Sequence, residues 1–121
     1  MILVDTSIWI DHLRRSDPRL AHLLAEGQVL RHPFVIGEIA LGTPSRREMT
    51  LRALGRLPAA CVATHDEVMS LIERERLFGW GVGYVDVHLI ASALLTPEAL
   101  LWTRDRKLLA VAKRLGLAAE V

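Results

Sequence analysis

The chain has 121 residues, enough for one domain with a single substantial core and too few for two. A hydrophobic fraction of 51% and a mean hydropathy of +0.28 exclude a disordered chain, and a net charge of only +1 excludes binding to nucleic acid through a global positive field. A single cysteine, Cys61, forbids an internal disulfide, fits a reducing compartment and is expected to pack as a small core residue.

In chain order, Met1-Ile2-Leu3-Val4 is a short continuous apolar run, the pattern of a strand buried on both faces of a parallel sheet. Asp5 follows at its carboxyl end, the rim where open α/β sheets place their ligands. Thr6 or Ser7 is expected to cap a helix running from there to Arg15, with Ile8, Trp9 and Leu13 inward. Asp17-Pro18 opens a second helix that carries Leu20, Leu23 and Leu24 and ends near Gly27. Gln28 to His32 is a short strand candidate, and Pro33 starts a third helix reaching Leu41, with Gly42 as its stop.

Ser45-Arg46-Arg47-Glu48 has the form of a capping box and predicts a helix to about Leu57. Ala59 to Ala63 reads as another short strand. A second capping box, Thr64-His65-Asp66-Glu67, precedes Val68, Leu71 and Ile72 at helical spacing. Gly79 to Gly83 forms a joint. Tyr84 to Leu95 is a helix, Leu100 to Thr103 a strand, Asp105 to Leu115 a helix stopped by Gly116, and Leu117 to Val121 a last strand. Strands alternating with helices imply right-handed crossovers and a mostly parallel sheet of about five strands, flanked by helices, in one domain spanning 1–121.

Leu77 to Pro97 is nearly free of charge, but Gly79, Gly81 and Gly83 break it and Asp86 sits near its middle, which a lipid-facing helix would not tolerate. The start also lacks the basic region of a signal peptide. A soluble cytoplasmic protein without a membrane partner is the expectation.

Four acids stand out. Asp5 and Asp105 each follow an apolar strand and precede a helix. Asp86 heads an apolar stripe formed with Leu89, Ile90 and Ala93, and Glu38 is spaced to share a helical face with Phe34, Val35 and Leu41. As helix caps or dipole partners, Asp5, Asp86 and Asp105 would each be ordinary. Their recurrence at strand ends and on the helices leading away from them is not. A parallel sheet can bring all four to one rim, where clustered carboxylates raise one another's pKa unless positive charge compensates. Oxygen donors without thiolates suit a hard cation, Mg²⁺ or Mn²⁺, rather than zinc. One or two such ions can activate water against a phosphodiester.

These segments resemble a known family. Asp5-Thr6-Ser7-Ile8-Trp9-Ile10-Asp11, Gly37-Glu38-Ile39-Ala40, Tyr84-Val85-Asp86-Val87-His88-Leu89-Ile90-Ala91 and Thr103-Arg104-Asp105 are similar, over the whole chain, to the PIN-domain ribonucleases, above all the VapC toxins of toxin–antitoxin pairs. The resemblance implies a PIN-like three-layer sandwich and a Mg²⁺- or Mn²⁺-dependent endoribonuclease. It gives Asp5 and Asp86 the central metal-binding roles. Glu38 and Asp105 would ligate directly or through water and orient the attacking water. Thr6 or Ser7, with Thr103, would supply supporting hydroxyls. It also implies an RNA substrate, a homodimer and a VapB-like antitoxin whose tail enters the acidic site.

Other features carry less. His12, His22, His32, His65 and His88 are scattered, and His88 lies off the helical face of Asp86. Ser7 lacks the Gly-x-Ser-x-Gly elbow of a nucleophile. A receiver- or phosphatase-like protein also sets acids at strand ends, but the dehalogenase-type second Asp is replaced by Ser7. Arg14-Arg15, Arg46-Arg47 and Arg104-Asp105-Arg106-Lys107 are basic clusters, of which the last flanks a proposed ligand and could contact phosphate. Trp80, in the glycine-rich joint, is the tryptophan expected to be exposed, and Trp102 the one expected in the core. A PIN-like module that binds RNA or protein without cutting is the alternative reading.

Overall fold

The computed structural model describes all 121 residues. Strand β1 (Ile2–Val4) lies between β2 (Val29–Leu30) and β3 (Leu100–Trp102) in a parallel sheet of order β2-β1-β3. Ile2 stands opposite Val29 on one side and Leu100 on the other, and Val4 opposite Trp102. Successive strand residues point to opposite faces, and Leu3 and Val4 are both fully buried, so both faces of the sheet are covered. That burial is the reason the first strand is apolar throughout.

The sheet has three strands, not the five or so expected. The two outermost candidates each reach it through one parallel bridge, Arg31 to Ala59 and Leu101 to Ala118. Beyond Ala59 the ladder stops because its next rung would need an N–H from Pro33, which has none and opens the following helix. Beyond Ala118, one bond joins Ala119 N–H to the Leu101 carbonyl before the chain ends in exposed Glu120 and Val121. Strand β2 is also shorter than predicted. His32 leaves it to cap the next helix, its Nδ1 accepting the Phe34 N–H at 3.1 Å.

Seven helices surround the sheet: α1 (Thr6–Arg14), α2 (Pro18–Ala25), α3 (Pro33–Ala40), α4 (Arg47–Leu54), α5 (His65–Glu75), α6 (Tyr84–Leu95) and α7 (Arg106–Arg114). Helix α1 packs on α3, and α5 on α6. Helix α6 is the spine of the domain. Every residue from Val87 to Ala93 is buried, so the helix is enclosed on all sides rather than along one stripe. Full burial of side chains such as Leu89 and Ile90 contributes roughly 1.5–3 kcal/mol each.

The caps follow the sequence in most places. Asp17 caps α2 with Pro18 at its first turn, and Thr64 and Glu67 close the expected capping box at 3.1 and 2.9 Å. Two expectations are corrected. Helix α1 starts one residue earlier, capped by Asp5 itself rather than by Thr6 or Ser7. The Ser45 capping box does not form, because Arg46 sits in the left-handed region (φ 54°) and turns the chain before α4 begins. The start of α4 is instead tied back by the Arg47 guanidinium, which donates to the Ala40 carbonyl at 2.6 and 3.1 Å. Cys61 is exposed, not core, while Ala60 and Ala63 of the same segment are buried. No helix is long and apolar enough to cross a membrane.

Candidate active site

The carboxyl ends of β1 and β3 are neighbours in the sheet, so the residues that follow them, Asp5 and the Thr103–Asp105 turn, come out side by side. The Asp5 N–H donates to the Trp102 carbonyl at 2.9 Å, continuing the ladder by one rung. Asp5 is 8% exposed and both of its oxygens accept hydrogen bonds. Oδ1 accepts the Thr6 N–H at 2.8 Å, and Oδ2 accepts the Thr103 hydroxyl at 2.7 Å and the Ser7 hydroxyl at 3.3 Å. Thr103, itself buried, also accepts the Asp105 N–H on the same oxygen at 3.1 Å. One hydroxyl therefore fixes two acids.

Asp105 is exposed and caps α7, its Oδ1 accepting the Lys107 and Leu108 N–H groups at 2.9 Å each. Its Oδ2 makes no hydrogen bond to the protein. Glu38 was expected to lie on the apolar face of α3. That face is instead made by Val35 and Ile39, while Leu41 is 90% exposed and Glu38 faces solvent toward α1. There the Thr6 hydroxyl donates to Glu38 Oε1 at 2.6 Å. Thr6 thus links Glu38 to Asp5 as Thr103 links Asp105 to Asp5.

Asp86 sits three residues into α6, and its Oδ2 accepts the Gly83 N–H at 3.1 Å. Burial pushes its carboxyl above the usual carboxylate range. The Gly83 hydrogen bond opposes that rise, and the charges of Asp5, Asp105 and Glu38 add to it. Asp86 is therefore within electrostatic reach of each of the other three predicted acids, though the four come from separate parts of the chain.

None of them has a cationic partner. The ion pairs of the protein are Arg19–Asp17, Arg52–Glu48, Arg74–Glu75 and Arg104–Asp11. Of the basic residues flanking Asp105, Arg104 pairs with Asp11, and the Lys107 side chain lies against Gly81. No three His, Cys, Asp or Glu side chains close into a ready-made metal cage. An all-oxygen donor set of mutually repelling carboxylates fits a hard cation that keeps part of its water shell and needs only one or two direct carboxylate bonds. A compact cage of protein ligands is the zinc pattern, not this one.

The histidines lie apart from the acids. His32 is fully buried and bonded to Ser92 at 2.9 Å, and His88 is buried against Phe34 with its Nε2 at 3.0 Å from the Tyr84 hydroxyl. Trp102 is core and Trp80 is 38% exposed, as expected. The Gly83 N–H, a backbone donor, carried no signal in the sequence, whereas Arg14, marked there only as part of a basic cluster, lines a groove of about 390 Å³ together with Glu38.

A family model described as "PIN domain" matches residues 2–114. The chain is 48% identical over 118 residues to "Ribonuclease VapC32" of Mycobacterium tuberculosis, in the CDC 1551 / Oshkosh strain and in the ATCC 25618 / H37Rv strain alike. The match covers 98% of this chain and 95% of each relative.

Proposed function

This chain belongs to the PIN-domain family, and on that premise we propose that it is a metal-dependent endoribonuclease, the toxin of a VapBC-type toxin–antitoxin pair. What supports this reading is that Asp86 lies within reach of the charges of Asp5, Asp105 and Glu38, and that none of the four forms an ion pair with a Lys or Arg. The charges of the other three acids add to the cost of keeping Asp86 ionised, a cost that a bound cation relieves.

Asp5 and Asp86 hold Mg²⁺ or Mn²⁺, Asp5 locked by three donors and Asp86 by the Gly83 N–H. When bound, the cation supplies Lewis-acid charge and lowers the pKa of its water. Glu38 and Asp105 are exposed, and each keeps an oxygen free of protein hydrogen bonds with which to accept a proton from water and orient it. Thr6 and Thr103 are positioning residues that set the angle of Glu38 and Asp5. The relatives' name supports RNA as the substrate and a VapB-like antitoxin as the partner, and family likeness supports a homodimer acting in the cytoplasm.

The test is cleavage of total cellular RNA in Mn²⁺. The intact protein should cut at discrete sites, EDTA should stop it, and Asp5→Asn and Asp86→Asn should be inactive with unchanged circular dichroism. Cleavage retained in either variant refutes the assignment.

A further inference from the structure

An acidic site repels the backbone it must cut, so the surface beside it has to attract RNA. Between the end of α1 and the β3–α7 junction lies a groove of about 410 Å³ with no hydrophobic residue in its lining. Its charged members are Arg14, Arg15, Arg19 and Arg104 against Asp11 and Asp17, four positive charges and two negative. Arg19 is committed to the fold: it pairs with Asp17 at 2.8 Å and lies over the Trp102 ring at 5.1 Å. Arg14 and Arg15 are exposed and neither belongs to an ion pair. Arg104 pairs with Asp11, but that pair is open to water, with side chains 55% and 41% exposed.

The position of the groove connects it to the acids. Arg104 stands between Thr103 and Asp105, and Arg14 lines both this groove and the neighbouring one that contains Glu38. We propose that this groove binds the phosphates of the RNA strand next to the scissile bond through Arg14, Arg15 and Arg104, and that Asp11 occupies Arg104 until a phosphate displaces it. The proposal rests on the ribonuclease reading. Guanidinium groups present paired donors that match phosphate oxygens. A lining of arginines, carboxylates, Ser16 and Pro18, with no aromatic ring, favours contact with the phosphate backbone, which is indifferent to sequence. A solvent-exposed carboxylate is a weak competitor, because an exposed ion pair is screened. Asp11 therefore sets the affinity of the groove without closing it.

The experiment is fluorescence anisotropy of a labelled single-stranded 20-nucleotide RNA with the full-length protein in EDTA, where the groove acts without the cation. Arg14→Gln with Arg15→Gln, and Arg104→Gln alone, should each weaken binding by about fivefold or more, equally for RNAs of unrelated sequence. The double variant should also flatten the salt dependence of log affinity by about 1.4. Asp11→Asn should tighten binding, while Asp66→Asn on α5, an equal change in net charge away from the groove, should leave it unaltered. Unchanged affinity in the arginine variants overturns the proposal, as does an Asp11→Asn indistinguishable from Asp66→Asn. So does a labelled oligo-glutamate peptide that loses binding on the same arginine substitutions while RNA does not, which would assign the groove to an acidic protein partner. Mn²⁺-dependent cleavage by the intact protein is run alongside. A protein that binds RNA through these arginines and never cuts it supports the groove and sinks the ribonuclease reading; one that cuts RNA with affinity untouched by the substitutions does the reverse.

Discussion

Thr103 donates its hydroxyl proton to Asp5 at 2.7 Å across 98 residues of chain, and the same oxygen receives the Asp105 N–H at 3.1 Å. A β1–β3 pairing written into two apolar strands thus ends in a side-chain bond that aligns two of the four acids. Thr103→Val keeps the shape and removes the bond. It should lower cleavage about 10- to 100-fold, the usual cost of losing a partner that orients a metal ligand. Stability should fall by about 1 kcal/mol, since the Asp105 N–H is left without its acceptor. Thr103→Ser should restore most of both. Initial rates in Mn²⁺ and thermal melts of the two variants check this.

Asp86 is expected to be worth more to activity than to the fold. Its pKa is raised by folding, so the native state above that pKa carries a carboxylate disfavoured by burial and by three like charges. The native state binds the proton more tightly than the unfolded chain, and stability therefore falls as pH rises through the window between the two pKa values. Asp86→Asn removes the charge and keeps an oxygen for the Gly83 N–H. It should abolish cleavage yet raise Tm by a few degrees in EDTA at pH 7. A lower Tm in EDTA contradicts the assignment of repulsion.

His32 gives a pH limit in the opposite direction. Burial lowers its pKa to about 4, with the nearby His88 adding to the effect, against an ordinary value of 6.5. Between those values the unfolded chain is protonated and the native imidazole is not, so stability is complete above pH 6.5 and is lost as pH falls toward 4. The loss is on the order of 2 kcal/mol after allowance for partial relaxation around the ring. Denaturant midpoints at pH 7 and pH 5 should differ in the intact protein. In His32→Gln, whose amide also reaches Ser92, the difference should shrink.

Gly81 has φ +79°, and a Cβ there would meet the Lys107 side chain at 2.9 Å. Gly81→Ala should cost about 1–2 kcal/mol. Adding Lys107→Ala should recover only the part due to contact, because the backbone strain remains. A melt of both variants separates the two contributions.

The site was more legible in the sequence than the sheet. Each acid is marked locally, by an apolar strand before it or an apolar helix after it, and the parallel arrangement of β1 and β3 follows from those same apolar runs. Strand length was misread although Pro33 marks it, since the pairing of Arg31 with Ala59 cannot continue once the next donor is a proline that opens a helix. The environment of Glu38 was misread for a different reason. Helical spacing puts it near Val35 and Phe34, but only the packing of α1 on α3 decides that Thr6 meets it at the solvent edge. Arg46 and Arg47 likewise hid a left-handed turn that no capping pattern announces. Local chemistry reads from sequence; which distant side chain the packing brings to it, as Thr6 to Glu38, does not.

The most direct measurement is calorimetric titration of Mn²⁺ into the intact protein, Asp5→Asn and Asp86→Asn, each checked for native circular dichroism. The intact protein should bind the ion and both variants should lose at least tenfold in affinity, with a rise in Tm on Mn²⁺ addition seen only in the intact chain. Equal Mn²⁺ binding by all three, or none by the intact protein, would contradict a cation held by the clustered carboxylates.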